Sequence, residues 1–82
     1  MSSFTTKSMK IDLFNAMCVR NEYTAERCTE EIRRMCRSID HGADPEELLH
    51  EQGIDADMGI YAEGLLDYYS DYIDEQEQRL ED

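Results

Sequence analysis

The amino-acid sequence predicts an all-α fold, a small bundle of three to four helices. Residues 25–39 place their apolar side chains at intervals of three or four, which is the spacing of one face of a helix. The run Asp44-Pro45-Glu46-Glu47 is a strong signal for the start of another helix. No segment alternates apolar and polar residues over the length of a strand, and no hairpin dipeptide occurs.

Capping residues predict the limits of the first two helices. After a small, polar lead-in at residues 1–7, which we expect to be flexible, Ser8 is the expected N-cap of a helix that runs to about Arg20. Thr24 is the expected N-cap of the second helix, and Gly42 is expected to end it. The apolar face of that helix consists of Ala25, Cys28, Ile32, Met35, Cys36 and Ile39.

Two more helices are predicted in the second half of the chain. The third is short, with Asp44 as N-cap, Pro45 in its first position and Gly53 after its end. Asp55 or Asp57 is expected to begin the fourth helix.

The fourth helix is predicted to reach about Arg79, with residues 76–82 left as either helix or a frayed tail. Gly59 and Gly64 each weaken it by ~1 kcal/mol relative to Ala. They therefore indicate either close packing or an irregular first turn.

Composition limits the chain to one small domain, residues 1–82, with an unusual charge distribution. The net charge is −12, from 20 acidic and 8 basic residues, and it argues against direct binding of nucleic acid. Residues 1–41 are nearly neutral, whereas residues 42–82 contain Arg79 as their one basic residue. Three cysteines without a disulfide pattern, and no apolar run long enough for a signal peptide or a membrane span, predict a cytoplasmic protein that does not bind membranes.

The fourth helix is expected to carry a row of carboxylates on one side. Glu63, Asp67, Asp71 and Asp74, here called the acidic stripe, follow at intervals of four, four and three residues. A rise of ~1.5 Å per residue separates neighbouring carboxylates by roughly 4.5–6 Å along the axis, which is comparable to the phosphate spacing of a nucleic-acid strand. Four further acids are expected to flank the stripe: Asp55, Asp57, Glu77 and Glu81.

The opposite side of this helix is expected to carry a tyrosine face. Its members are Tyr61, Tyr68, Tyr69 and Tyr72, more tyrosines than a three-helix core easily covers with their hydroxyls satisfied. The sequence leaves two interpretations open, a core face and a binding surface that uses Tyr68 and Tyr72.

Most candidate chemistry in the sequence fails on spacing. Asp55-x-Asp57-x-Gly59 resembles the start of a calcium loop, but Ile60 stands at the sixth position, which requires glycine, and Leu66 at the twelfth, which requires glutamate. The cysteines and histidines lack the spacing of a zinc site. Arg34 and His41 resemble the Arg-x(4–6)-His pattern of HEPN-type ribonucleases, which implies phosphodiester cleavage, but a basic helix end explains the same residues. We therefore expect neither enzymatic activity nor a metal or other cofactor.

Size, charge and the lack of a catalytic motif point to a function in protein binding. In these bulk properties the chain resembles the small acidic nucleic-acid mimics of phages and mobile elements, which inhibit nucleic-acid-binding proteins. We expect a basic partner of this kind, bound through the acidic stripe. The alternatives are a merely solvated acidic face, adaptation to high salt, and an antitoxin-like or adaptor protein that binds a partner or forms a homodimer through its tyrosine face.

Overall fold

The chain folds into four α-helices, which confirms the predicted all-α bundle. The computed structural model describes the backbone of residues 2–56 and 58–81 and the side chains of residues 9–56 and 58–79. The helices are α1 (Ser2–Asn21), α2 (Ala25–Asp40), α3 (Pro45–Glu51) and α4 (Met58–Glu81), and this part of the chain contains no strand. None of the described helices combines the length and the apolar composition that crossing a membrane requires.

The predicted caps of α2 and α3 are confirmed. The Thr24 side chain accepts a hydrogen bond from the backbone N–H of Arg27, and the Asp44 side chain accepts one from the N–H of Glu46. Both residues have extended backbone dihedrals, as an N-cap requires. Gly42, which follows α2, has a φ of +100°, a conformation that side chains other than glycine rarely adopt.

The first helix begins seven residues earlier than its sequence predicts. Residues 2–8 lie in α1, although the sequence predicts a lead-in at residues 1–7 and an N-cap at Ser8. These residues are poor helix formers, but they contain neither proline nor glycine, and extending an existing helix costs far less than nucleating one. The flexibility expected of this segment stays a prediction.

The last helix includes the segment that the sequence left undecided. Residues 76–81 belong to α4, and residue 82 lies outside the described part. The prediction that Asp55 or Asp57 caps α4 is untested, because Asp57 lies outside the described residues. The 24 residues of α4 span about 36 Å, close to the 38 Å long dimension of the molecule.

The core lies where α4 packs across the other three helices. Leu65 of α4 is fully buried among side chains from every other helix and from Ile54 in the connection before α4. The remaining buried core residues are Leu13 and Met17 of α1, Cys28, Ile32, Met35 and Cys36 of α2, and Leu48 and Leu49 of α3.

Helices α1 and α4 run antiparallel and approach closely at Gly64. Lys10 meets Asp71, whereas Ala16, six residues later on α1, lies near Tyr61 on α4. A Cβ atom at Gly64 would lie 2.7 Å from the carbonyl oxygen of Met9, so only glycine fits there without a shift. This confirms close packing at Gly64, but a Cβ at Gly59 would meet nothing within 4 Å.

A buried glutamine joins the α1–α2 connection to the end of α3. The Gln52 side-chain oxygen accepts hydrogen bonds from Asn21 Nδ2 at 3.3 Å and from the Tyr23 hydroxyl at 3.0 Å. Asn21 Nδ2 also donates to the Gln52 backbone oxygen at 3.0 Å. These bonds hold the turn that contains Glu22, whose φ of 55° is in the left-handed region.

Candidate functional site

The acidic stripe lies on the side of α4 that faces away from the core. Glu63, Asp71 and Asp74 are exposed, Asp67 is half-buried, and Leu65 on the opposite side is fully buried. From residue 63 to residue 74 the stripe covers about 16 Å along the helix axis. Glu77, a predicted flank, is exposed one turn further on.

Two carboxylates of α4 are neutralised by cations from other helices. Asp71 pairs with Lys10 of α1, and Glu75 accepts two hydrogen bonds from the Arg33 guanidinium of α2, at 3.1 and 3.3 Å. The hydrogen bonds and charge of Arg33 lower the pKa of the Glu75 carboxyl below its usual value. Arg79, one turn further along α4, also approaches Glu75, with its Nη2 3.8 Å from Oε1, whereas Lys10 and Arg33 lie too far away in the sequence for helical periodicity to indicate them.

Four other carboxylates of this surface have no such partner among the described side chains. Among the described side chains, no basic nitrogen lies within 4 Å of Glu63, Asp67, Asp74 or Glu77. The negative charge of the surface is therefore concentrated on both sides of the neutralised Asp71. It is less uniform than the sequence pattern implies.

The tyrosine face packs partly against the core. All four tyrosines are half-buried there, and the Tyr68 hydroxyl donates to the Lys10 backbone oxygen at 3.2 Å. The Tyr69 hydroxyl donates to the Asp40 carboxylate, and its ring stacks on that of Tyr72 with centroids 6.4 Å apart. These contacts favour the core interpretation for Tyr69, whereas Tyr68 and Tyr72 also line an open cleft.

That cleft lies between α1, α2 and α4 and has a volume of about 140 Å³. Its surface is mainly apolar, and the charged Arg33, Asp71 and Glu75 also line it. We call it the α1–α2–α4 cleft; its apolar lining comprises Phe14, Ile32, Cys36, Tyr68 and Tyr72. It brings together three residues that the sequence placed on two different surfaces: Tyr68, Asp71 and Tyr72.

Each side of the cleft carries the same arrangement of ring, carboxylate and cation. The Lys10 ammonium lies 4.8 Å from the centroid of the Tyr68 ring and pairs with Asp71. The Arg33 guanidinium carbon lies 5.9 Å from the centroid of the Tyr72 ring, and the group pairs with Glu75. Both distances are within the range of cation–π attraction.

Of the remaining predicted flanks, the structure describes the side chain of Asp55 and not those of Asp57 and Glu81. Asp55 pairs with His50 in the connection after α3, and this contact raises the pKa of the imidazole above its usual value. Asp57 and the side chain of Glu81 lie outside the described residues.

Three other kinds of chemistry have little support in the geometry. In the described residues, no group of three potential ligands could hold a metal ion. Burial raises the pKa of the Cys28 thiol to about 12 and that of Cys36 to about 11, so both are protonated at neutral pH and poor nucleophiles. Arg34 and His41 line one open groove, but the Arg34 guanidinium is hydrogen-bonded to Glu31 at 2.9 Å.

Comparisons of the chain with protein-family models, with curated protein sequences and with solved structures find no match.

Proposed function

We propose that this chain is a non-enzymatic inhibitor or modulator that binds a basic, nucleic-acid-binding protein in place of its nucleic acid. The supporting observation is the row of carboxylates on the outer side of α4. These side chains are held on one rigid helix, and four of them have no basic partner among the described side chains: Glu63, Asp67, Asp74 and Glu77.

The spacing and cost of this row support a role in binding. Carboxylates three or four residues apart repel each other, at a cost of roughly 0.2–0.5 kcal/mol per pair. A face that served solubility alone would more often alternate the sign of its charges, as α2 does where Glu31 pairs with Arg27 and Arg34. A basic groove that binds phosphates would relieve the repulsion.

Such a surface has consequences for kinetics and salt dependence. Concentrated negative charge accelerates association with a basic partner, and salt weakens the complex because the Debye length falls to about 10 Å at 0.1 M. In this mode of action the protein competes with DNA or RNA, as the anti-defence inhibitors of phages do. The proposed setting is the cytoplasm.

The test is capture of partners from a lysate of the source cell, followed by competition with duplex DNA or RNA. The stripe variant combines Glu63→Gln, Asp67→Asn, Asp74→Asn and Glu77→Gln. The matched control combines Glu26→Gln, Glu30→Gln, Glu47→Gln and Glu51→Gln, which removes the same number of exposed charges from α2 and α3.

We expect the unchanged protein and the control to retain a nucleic-acid-binding partner that moderate salt or added duplex releases. The stripe variant should lose that partner. Equal binding by the two variants would show that the stripe is not the contact surface, and a partner that duplex fails to displace would rule out mimicry.

The alternative, an antitoxin-like or adaptor protein, is supported by the half-buried rings of Tyr68 and Tyr72 at an open cleft. Its contacts would be mainly apolar, so its complex should survive high salt. The same capture experiment therefore separates the two functions by the salt concentration at which the partner elutes.

A further inference from the structure

The α1–α2–α4 cleft has the size and chemistry of a pocket for one aromatic side chain. We infer that it anchors a single aromatic residue of the basic partner, flanked in the partner's sequence by lysine or arginine. This inference rests on the proposed function, since the partner is the same protein that the acidic stripe contacts.

The volume and lining of the cleft fit one ring. A cavity of about 150 Å³ lined by aliphatic and aromatic groups accommodates benzene, and this cleft has a volume of about 140 Å³. Its apolar surface comes from Phe14, Ile32 and Cys36, with the rings of Tyr68 and Tyr72 beside them. An inserted ring could therefore meet aromatic neighbours in edge-to-face or offset geometry.

The charges around the cleft determine what must accompany that ring. Arg33, Asp71 and Glu75 line it, and both carboxylates are already paired, Asp71 with Lys10 and Glu75 with Arg33. The exposed Asp74 lies between the two acids in the sequence and has no basic partner among the described side chains. A neutral apolar segment beside the cleft would remove water from the Asp74 carboxylate without replacing its hydrogen bonds, which is unfavourable. A segment with a basic residue beside its aromatic residue would pair with Asp74.

The chain itself shows how such cations bind. Lys10 and Arg33 each lie against a tyrosine ring and pair with the acid three residues further along α4. Both cations are partly exposed, with 26% and 40% of their side-chain surface accessible.

Two capped tripeptides test the inference by NMR titration of isotope-labelled protein. Acetyl-Lys-Phe-Lys-amide and acetyl-Lys-Ala-Lys-amide carry the same charge and differ only in the ring. We expect both to shift resonances of the acidic stripe, and the phenylalanine peptide also to shift the Ile32 methyl and the Tyr68 and Tyr72 ring signals. Partial burial of the ring should make its binding roughly fivefold tighter.

A variant that fills the cleft provides the second measurement. Cys36→Leu adds apolar volume to the lining and should abolish the advantage of the phenylalanine peptide. Ser38→Leu adds volume to the same helix outside the cleft and should leave the advantage intact. Thr29→Met, at the exposed edge of the cleft, replaces Cys36→Leu if that variant does not give a folded spectrum.

The outcomes separate this inference from the proposed function. Equal binding of the two peptides, with stripe resonances shifted, would overturn the pocket and leave the acidic surface standing. Shifts confined to the cleft, with binding insensitive to salt, would support the aromatic pocket, overturn its basic flank and count against mimicry. Absence of any shift with either peptide would overturn the pocket. So would an advantage of the phenylalanine peptide that survives in the folded cleft-filling variant, Cys36→Leu or its replacement Thr29→Met.

Discussion

Replacing the two glycines of α4 by alanine should change stability in opposite directions. At Gly64 the new Cβ would lie 2.7 Å from the Met9 carbonyl oxygen and 3.1 Å from its carbon. A carbon and a carbonyl oxygen ordinarily approach to about 3.3–3.6 Å, so the backbones of α1 and α4 must separate by roughly 0.6 Å or more. At Gly59 the new Cβ meets nothing within 4 Å.

The two substitutions share one energy term and differ in the other. Alanine is favoured over glycine in a helix by about 0.8–1.0 kcal/mol, and this gain largely cancels when the variants are compared. Overpacking of a close contact costs typically about 1–3 kcal/mol. We therefore expect Gly59→Ala to raise the free energy of unfolding by about 0.5–1 kcal/mol and Gly64→Ala to lower it by about 1 kcal/mol.

Urea and thermal unfolding followed by circular dichroism at the helix band measure both changes. For a domain of this size, a difference of about 2 kcal/mol between the variants corresponds to roughly 8–16 °C in melting temperature. The unchanged chain is the common reference. Equal stabilisation by both substitutions would refute the close approach of α1 and α4 at Gly64.

Two further predictions concern buried or paired polar groups. Gln52→Leu leaves the donor groups of Asn21 and Tyr23 without their side-chain acceptor, so it should reduce the free energy of unfolding by about 1–3 kcal/mol. An unchanged midpoint of urea unfolding would contradict these hydrogen bonds. Burial raises the pKa of the Glu31 carboxyl, but hydrogen bonds from Arg34 and Arg27 outweigh it and lower the pKa below 4.5. A carboxyl with a lowered pKa stabilises the fold above the unfolded-state pKa, and this contribution is lost as pH falls through the folded-state pKa. Glu31→Gln should therefore reduce the free energy of unfolding by about 1 kcal/mol at neutral pH and by progressively less below pH 4.5. A cost independent of pH would contradict the ion pairs of Glu31 with Arg27 and Arg34.

Local signals in the sequence predicted most of the fold. Thr24 and Asp44 cap helices by bonds to residues two or three positions away, so their role can be read without tertiary information. The predicted start of α1 was wrong: Ser8 is a residue type that often caps helices, but here it lies inside a helix that begins at Ser2. Gln52 gave no signal, since its partners Asn21 and Tyr23 lie about thirty residues earlier in the chain.

The candidate surface was only partly predictable, because some of its contacts also join residues that are distant in the sequence. Helical periodicity places the acidic stripe on one side of α4, but the cation that neutralises Asp71 comes from 61 residues away and the one that binds Glu75 from 42 residues away. Such pairs depend on how helices pack, and periodicity carries no information about that. Gly59 and Gly64 show the same limit of sequence-based prediction. Both are glycines of α4, but a Cβ at Gly59 would meet open space, whereas a Cβ at Gly64 would meet the backbone carbonyl of Met9.

The position of α4 in the chain has a consequence for folding during synthesis. This helix contributes Leu65 to the centre of the core, and it is the last of the four helices to leave the ribosome. Its contacts with α1 join residues some sixty positions apart, which raises the contact order and slows folding relative to bundles of neighbouring helices. Until α4 has been synthesised, the apolar side chains of α1 and α2 lack their cover, so the nascent chain is especially vulnerable to aggregation and to chaperone capture in the interval before α4 emerges.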